Sequence, residues 1–459
     1  MIPVSRRVMP FALAALAACL GGCVTVSGPT PDAAVPTAFS TPAAGGAQVG
    51  GTWWRAWRDP ALDALVGRAL AASPDLEAAS ARVRQARASR DQAAAGLSAT
   101  LGSSASGNRG STSLYQGGFQ AGWEPDLSGG KAAAVAAGEA GTAAAAEALS
   151  GARLSLAADV ARTYAEARGY QARAALARRS AASMRATATV VRGKVEAGAA
   201  PESDALKAEA QAESTAADVP VLEAAYRQSA DRLGTLTGDG TGPALRALSR
   251  GAPVPPTPRR AGRLPADVVR ARPDLRRLER LLAQSWAKVG VSEAALYPSV
   301  SMGGTLSLNA ASLTGLGAAG AQGWGLGPSL DMPLLDGGYR KAAVAGAEAA
   351  RDEAVANYRS GVATAMGEVE DALAQLAGER AALGSLARAA GAQRRAAMTA
   401  RALYANGAGG FLDTLDAERS LYQAEVALIQ GRVLLATYDA ALCKALGGGS
   451  PPPTPGEGT

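Results

Sequence analysis

A seven-residue stretch that occurs twice decides the fold of this chain. Residues 198–204 read GAAPESD and residues 407–413 read GAGGFLD, at an offset of 209. A glutamate, Glu209 or Glu418, follows each stretch at the same distance. Gly198 and Gly407 are suited to end one helix in a tight turn before the next begins. The chain is therefore predicted to contain two copies of one helical turn.

Two further motifs recur in the same order. Residues 73–76 (SPDL) match 272–275 (RPDL), and residues 125–131 (PDLSGGK) match 333–339 (PLLDGGY). Their nearly constant spacing indicates a duplication of about 200 residues. The predicted organisation is a first repeat at 61–236, a linker or equatorial loop at 237–264 and a second repeat at 265–449. The linker is rich in Pro and Gly and is predicted to lie on the surface.

Each repeat is predicted to contain the same elements in the same order. The expected elements are a helical segment (62–95; 266–295), two short strands (about 97–107 and 117–124; 299–308 and 323–330), a long helix (131–195; 339–404) and a return helix (202–236; 412–446). Alternating segments of about ten residues between turns are typical of transmembrane β-strands, with a water-exposed hairpin as the alternative. Pro220 is expected to break or bend the first return helix.

The two long helices have about 65 residues each and would be roughly 100 Å long. They contain no proline, and apolar positions such as Val362, Met366, Val369 and Leu373 recur at three- and four-residue steps. This spacing predicts coiled-coil-like seams that pack through small residues. The resulting fold class is mainly α-helical with a small β part, which is a membrane part if the strands are transmembrane.

The composition excludes most catalytic classes. The 459 residues include no His, so a Ser-His-Asp triad and His metal ligation are impossible within the chain. We expect no catalytic site, no metal site and no enzymatic activity. The formal net charge is +6, but the basic residues are dispersed and aromatic residues make up only 4%. A nucleic-acid partner is therefore not expected.

The N-terminus predicts export. Residues 1–22 combine a basic pair, a short apolar run and small residues, which is typical of a signal peptide. The ending LGGC at 20–23 resembles the bacterial lipobox, so Cys23 is the predicted lipid attachment site and residues 23–60 a lipid-anchored extension. The alternative is an ordinary signal in which Cys23 is accidental. No cofactor is expected, and the covalent lipid on Cys23 is the one expected non-protein group.

Features elsewhere complete the membrane prediction. Removal of the signal and acylation of Cys23 would leave Cys443 as the only thiol, so no intrachain disulfide is expected. No helix is expected to span a bilayer, and the tail at 450–459 is expected to be disordered.

Four short strands cannot close a barrel, because the smallest transmembrane barrels have about eight. If the strands are membranous, several copies must share one barrel, and three copies would supply twelve strands.

Several motifs together carry a resemblance to a known family. They are Trp53-Trp54…Trp57-Arg-Asp59-Pro60, Leu296-Tyr297-Pro298-Ser299, Gly367-Glu-Val-Glu-Asp-Ala-Leu373 and Tyr404-Ala-Asn-Gly407…Phe411-Leu-Asp413-Thr-Leu-Asp416-Ala-Glu-Arg419. With these motifs the chain resembles the TolC-like outer-membrane factors. The C-terminal residues 445–449 (ALGGG) are similar to the lipoprotein branch found in resistance-nodulation-division efflux systems.

The resemblance implies an architecture and a function. It implies a homotrimer in which a shared 12-stranded β-barrel in the outer membrane continues into a long α-helical barrel in the periplasm. That tube would be the exit duct of a tripartite efflux pump, joined by a periplasmic adaptor to an inner-membrane transporter. Two alternatives stay open: a channel for type I protein secretion, and a periplasmic scaffold lipoprotein that conducts nothing.

The resemblance also implies where the duct closes. The implied periplasmic gate consists of Leu412, Asp413, Asp416 and Arg419 of the second repeat, Asp204 of the first repeat, and Tyr404. Three copies of Asp413 and Asp416 around one axis would form acidic rings that attract cations.

A simpler interpretation of the gate residues remains. Asp413 and Asp416 could favour the first turn of a helix, and Asp416 could pair with Arg419 at i,i+3. In the family the tips also contact the adaptor, so the resemblance implies that the turns at Gly198 and Gly407 are adaptor contacts.

Overall fold

A computed structural model of the chain describes residues 35–41, 49–109, 113–260 and 265–449. The predicted signal peptide (1–22), the lipid attachment site Cys23 and the predicted disordered tail (450–459) lie outside the described residues, and these three remain predictions.

Helices dominate the described part of the chain. The α-helices are α1 (Pro60–Ala72), α2 (Pro74–Ala95), α3 (Gly130–Glu196), α4 (Glu202–Thr237), α5 (Thr241–Leu248), α6 (Pro265–Ala271), α7 (Pro273–Ala294), α8 (Tyr339–Ala405) and α9 (Phe411–Ala445). The strands are β1 (Thr100–Asn108), β2 (Leu114–Trp123), β3 (Ser299–Ala310) and β4 (Gln322–Asp331).

The order of elements agrees with the prediction from the repeats. The two long helices, α3 and α8, contain 67 residues each. Pro74 and Pro273 begin α2 and α7, since a proline at the start of a helix removes an N–H group that has no intrahelical partner. The strand limits differ from the predicted ones by up to three residues, because a period-two pattern does not define where pairing stops.

Pro220 was expected to break or bend the first return helix, and the break does not occur. Helix α4 continues through this residue without interruption. Pro220 is exposed, and Ala216, whose carbonyl loses its helical donor, is only partly buried. Water can reach this carbonyl in place of the missing N–H group, so the helix tolerates the proline.

The chain forms two compact units, and each combines segments from both repeats. Unit 1 contains Ser80–Ala148 and Leu275–Gly361, which include all four strands. The described part of unit 2 falls within Ala34–Ala79, Leu149–Asp274 and Val362–Thr459, which include both tip turns.

Unit 1 contains one four-stranded antiparallel sheet in the order β1-β2-β3-β4. Leu306 of β3 lies opposite Phe119 of β2 and Trp324 of β4, so these three side chains share one face. Leu101, Met302, Leu326 and Leu330 lie on the same face by register, and all seven side chains are between 47% and 84% exposed in the protomer.

The opposite face of the sheet is polar. Its residues are Ser, Thr, Asn, Gln and Gly, apart from Leu114 and the one charged residue, Asp331. In the described chain β1 and β4 each pair along one edge only, so both outer edges of the sheet are open.

Unit 2 contains a buried ion pair that the sequence did not predict. The Arg260 guanidinium donates through Nε to Asp439 Oδ1 (3.0 Å) and through Nη2 to Asp439 Oδ2 (2.8 Å). Trp57 Nε1 also donates to Asp439 Oδ2, at 2.7 Å. The side chains of Arg260 and Asp439 are 1% and 0% exposed.

The ion pair corrects the expectation that residues 237–264 form only a surface linker. This segment contains helix α5 and carries Arg260 into the interior. A buried guanidinium is tolerated there because Asp439 neutralises its charge and accepts two of its N–H groups. The N-terminal Trp57 and the linker are thus held to α9 by a single carboxylate.

Asp439→Ala is expected to lower the free energy of unfolding by about 3–5 kcal/mol, because it leaves the Arg260 charge buried without a partner. Thermal unfolding followed by circular dichroism in detergent measures this effect. The exposed Asp371 of α8 provides the control, and Asp371→Ala should change stability by no more than about 0.5 kcal/mol. Equal effects of the two substitutions would contradict the role given to Asp439.

Candidate functional site

The two tip turns have the same backbone conformation. Gly198 and Gly407 have φ values of +70° and +74°, the left-handed region that favours glycine. Ala199 N donates to Lys194 O (2.7 Å), and Ala408 N donates to Leu403 O (2.9 Å). Each bond spans five residues, as in a Schellman helix end. The prediction of tight turns at these glycines agrees with the structure.

Side chains from four helices pack together beside these turns. The ring centroids of Tyr404 and Phe411 lie 5.9 Å apart. The cluster, which we call the tip core, consists of Ala188 and Val191 from α3, Ala205 and Ala208 from α4, Tyr404 from α8 and Phe411 from α9. The ends of both repeats therefore share one small apolar core.

A pair of equivalent ion pairs flanks the tip core. Arg192 binds Glu209 and also Glu202, the latter at 2.7 Å. Arg401 binds Glu418, and both members of this pair lie 209 residues beyond those of the Arg192–Glu209 pair. Only Glu418 is buried, at 1% side-chain exposure.

Glu418 also connects the two repeats. Its Oε1 accepts a hydrogen bond from Thr187 of α3 at 2.8 Å, whereas Oε2 has no partner among the described residues.

Sequence reasoning missed these arginines, although their spacing was a usable indication. Arg178, Arg185 and Arg192 follow one another at seven-residue steps and bind Glu223, Glu213 and Glu209 of α4 in turn. A seven-residue spacing places side chains on the same side of a coiled-coil helix, where they can pair across to the next helix.

Most of the predicted gate residues are exposed in the protomer. Leu412, Asp413, Asp416 and Arg419 are exposed on the first turns of α9. No hydrogen bond or ion pair within the described chain involves the side chains of Asp413, Asp416 or Arg419, so the simpler Asp416–Arg419 pair is not formed. The two carboxylates stand next to solvent without a neutralising partner.

The other two predicted gate residues lie deeper. Asp204 is half-buried, and Tyr404 is 8% exposed with a hydroxyl that has no hydrogen-bond partner in the described part of the chain. Burial, and after it the negative charge of Asp204, raises the pKa of Tyr404. The Lys194 ammonium, which sequence reasoning did not select, touches Tyr404.

The described residues contain no candidate metal site and one helix long and apolar enough to cross a membrane. Among the described residues no group of three or more Cys, Asp or Glu side chains could hold a metal ion. One described helix, α9, is long and apolar enough by composition to cross a membrane, and 39% of that stretch is buried. A packed helix of a soluble protein can have the same composition, so the expectation that no helix crosses the membrane stays a prediction.

Known proteins are similar to this chain in sequence and in fold. The family model described as outer membrane efflux protein matches residues 65–239 and 264–448. Nodulation protein T of Rhizobium leguminosarum bv. trifolii is 32% identical over 457 residues, which cover 94% of this chain and 96% of that protein. The probable outer membrane lipoprotein SilC of Salmonella typhimurium is 27% identical, with 94% and 96% covered.

A solved structure gives the same result. The outer-membrane channel OprN matches with a TM-score of 0.83 at 32% identity, and the match covers 92% of this chain and 99% of that one. The chain therefore belongs to the outer membrane efflux protein family and has the TolC-like fold. It is an outer-membrane exit duct for efflux. The family is one of channels, and its members act as outer-membrane components of tripartite pumps.

The turn geometry predicts opposite effects for two neighbouring glycines. Gly198→Ala should destabilise the protein by about 1–2 kcal/mol, because its φ is positive. At Gly193, in the helical part of α3, an added Cβ would have no neighbouring atom within 4 Å outside the local helix backbone. Gly193→Ala should therefore be neutral or stabilise by up to about 1 kcal/mol. Thermal unfolding in detergent compares the two, and destabilisation by Gly193→Ala of the same size would contradict the argument.

Proposed function

We propose that three copies of this chain form one continuous duct, in which their sheets join edge to edge in the outer membrane. The observation that carries this proposal is the sheet itself, with open edges at β1 and β4 and an apolar face of exposed side chains such as Phe119 and Trp324. An open edge cannot face lipid, because its N–H and C=O groups would lack partners. Three copies supply twelve strands, enough to close a barrel.

The duct is gated at its periplasmic tips. Asp413 and Asp416 are exposed on α9 and have no neutralising partner within the described chain. In a trimer they would be repeated around one axis, with Leu412 and Arg419 beside them. Negative charges that converge on a narrow passage favour cations and exclude anions. Tyr404 belongs to the tip core, and Asp204 directly precedes its member Ala205; both residues support this gate.

The mature chain is attached to the outer membrane by lipid on Cys23 and extends its helices into the periplasm. The lipobox-like residues 20–23 support the attachment, as does the similarity to a probable outer membrane lipoprotein. The turns at Gly198 and Gly407 would then face the periplasmic adaptor, which links the duct to an inner-membrane transporter. The duct is passive: it has no catalytic role, no metal and no cofactor beyond this lipid.

The direct experiment is single-channel recording in planar bilayers. The parent protein is expected to give small, cation-preferring steps. Asp413→Ala/Asp416→Ala should give larger steps with weaker cation preference, because the acidic rings are removed. Asp371→Ala on the exposed surface of α8 is the matched control and should behave as the parent does.

Each result of the recording bears on one part of the proposal. Insertion without conductance in the parent and in both variants would overturn the duct. Equal conductance and equal selectivity in all three proteins would retain the duct and overturn the gate at Asp413 and Asp416.

Cys23→Ala tests the anchor separately. In cells fed radiolabelled palmitate, the parent protein should incorporate the label and Cys23→Ala should not, because the thiol is the acceptor. Cys443→Ala is the control, since this thiol is buried in the protein. Labelling of the Cys23→Ala protein would contradict the proposed anchor.

A further inference from the structure

One lysine contributes a polar contact between the tips of the two repeats. Lys194 Nζ donates a hydrogen bond to the carbonyl oxygen of Tyr404 at 2.7 Å. The same ammonium lies 3.8 Å from the centroid of the Tyr404 ring. Lys194 precedes the turn at Gly198, and Tyr404 precedes the turn at Gly407. The lysine therefore connects the last turn of α3 with the last turn of α8.

The positive charge of the lysine strengthens both contacts. The carbonyl groups in the last turn of a helix carry partial negative charge, which attracts an ammonium, and Tyr404 O accepts from Lys194 Nζ in addition to Gly407 N (3.1 Å). The face of an aromatic ring attracts it as well. Lys194 is partly buried, so water screens these attractions less than it would at a fully exposed site. An apolar side chain of similar length, such as methionine, would keep the packing and lose both the hydrogen bond and the attraction to the ring.

The contact is specific to one repeat. At the offset of 209, the position of Lys194 corresponds to Leu403 and that of Val195 corresponds to Tyr404. Leu403 is 45% exposed, and it has no charge with which to make the reciprocal contact. The first repeat supplies the cation, and the second supplies the ring and the carbonyl. This contact between the duplicated tips therefore depends on Lys194, a residue that only the first repeat possesses.

The lysine helps to position Tyr404. The tyrosine hydroxyl has no hydrogen-bond partner among the residues described, so the ring is held by its packing in the tip core and by the lysine at its face and backbone carbonyl. Phe411 is an aromatic neighbour of Tyr404, with 5.9 Å between the ring centroids. Leu412 and Asp413 follow Phe411 directly in the chain. A displacement of Tyr404 therefore displaces the start of α9 and its carboxylates.

We propose that Lys194 is the latch of the gate: it holds the tip of the second repeat against the first, in the arrangement in which Asp413 and Asp416 narrow the entrance. Lys194 is a positioning residue and acts on the gate through Tyr404 and Phe411. This inference rests on the proposed gated duct. Loss of the latch frees the second tip to move outward and shifts the equilibrium toward the open state.

The test uses full-length parent protein and four variants in planar bilayers. Lys194→Met removes the charge and keeps the length, whereas Lys194→Arg keeps a charged donor that can also bind a ring face. Lys207→Met is the matched control, because Lys207 is exposed on α4. Tyr404→Leu removes the ring from the other side of the contact. Gel filtration after mild heating checks that each variant keeps the assembly of the parent.

Single-channel conductance of Lys194→Met should rise at least about twofold, since a latch that favours the closed state is lost. The conductance of Tyr404→Leu should also rise. If Lys194→Met does not assemble, a Tyr404→Leu protein that conducts as the parent does overturns the latch. Lys194→Arg and Lys207→Met should match the parent.

Three further results would overturn the latch. If the parent conducts and Lys194→Met assembles and conducts as it does, the latch is wrong and the duct stands. If Lys194→Arg opens the channel as far as Lys194→Met does, the charge is not responsible and the latch is wrong. If the parent itself inserts without conducting, the proposed duct fails and the latch fails with it.

Discussion

The unpaired edges of the four-stranded sheet are the constraint on which the account depends. In hydrocarbon every backbone N–H and C=O group needs a partner within protein, because no water is present to replace it. Strands β1 and β4 each leave one edge open, while Leu101, Phe119 and Trp324 share an apolar face. A single copy can therefore bury its apolar face in lipid only if other copies complete its edges. The polar face, with its Ser, Gln and Gly residues, is then left for water.

Close approach between helices is the second constraint, and it explains the unusual composition. A Cβ added to Gly169 of α3 would lie 2.4 Å from Cγ2 of Val433 in α9. A Cβ on Gly431 would lie 2.9 Å from Glu379 Oε1. Small residues at such contacts let long helices pack with little aromatic core, since the packed backbone supplies the dispersion contacts. The 4% aromatic content and the many Ala and Gly residues follow from this packing.

Local features of the fold could be predicted because they depend on near neighbours in the chain. The turns at Gly198 and Gly407, the helix starts at Pro74 and Pro273 and the two 67-residue helices all follow from short motifs and periodicity. Of the expected break or bend at Pro220, the break was wrong, since solvent exposure compensates for the missing N–H group.

Contacts between distant residues could not be predicted in the same way. The partners in the Arg260–Asp439 pair are 179 residues apart, and those in the Lys194–Tyr404 contact are 210 apart. Periodicity identifies neither partner, because each pair depends on tertiary packing. The predicted gate residues Asp413 and Asp416 were identified through the family resemblance. Both are exposed and have no neutralising partner within the described chain, and their role in a gate stays a prediction.

The number of chains in the assembled particle tests the central claim most directly. Native mass spectrometry of detergent-solubilised protein counts the chains without assuming any structure. The account predicts a particle of three chains, because three copies close the open edges of the sheet with twelve strands. A stable, folded particle that contains one chain would contradict the account, since its β1 and β4 edges would then face the membrane without partners.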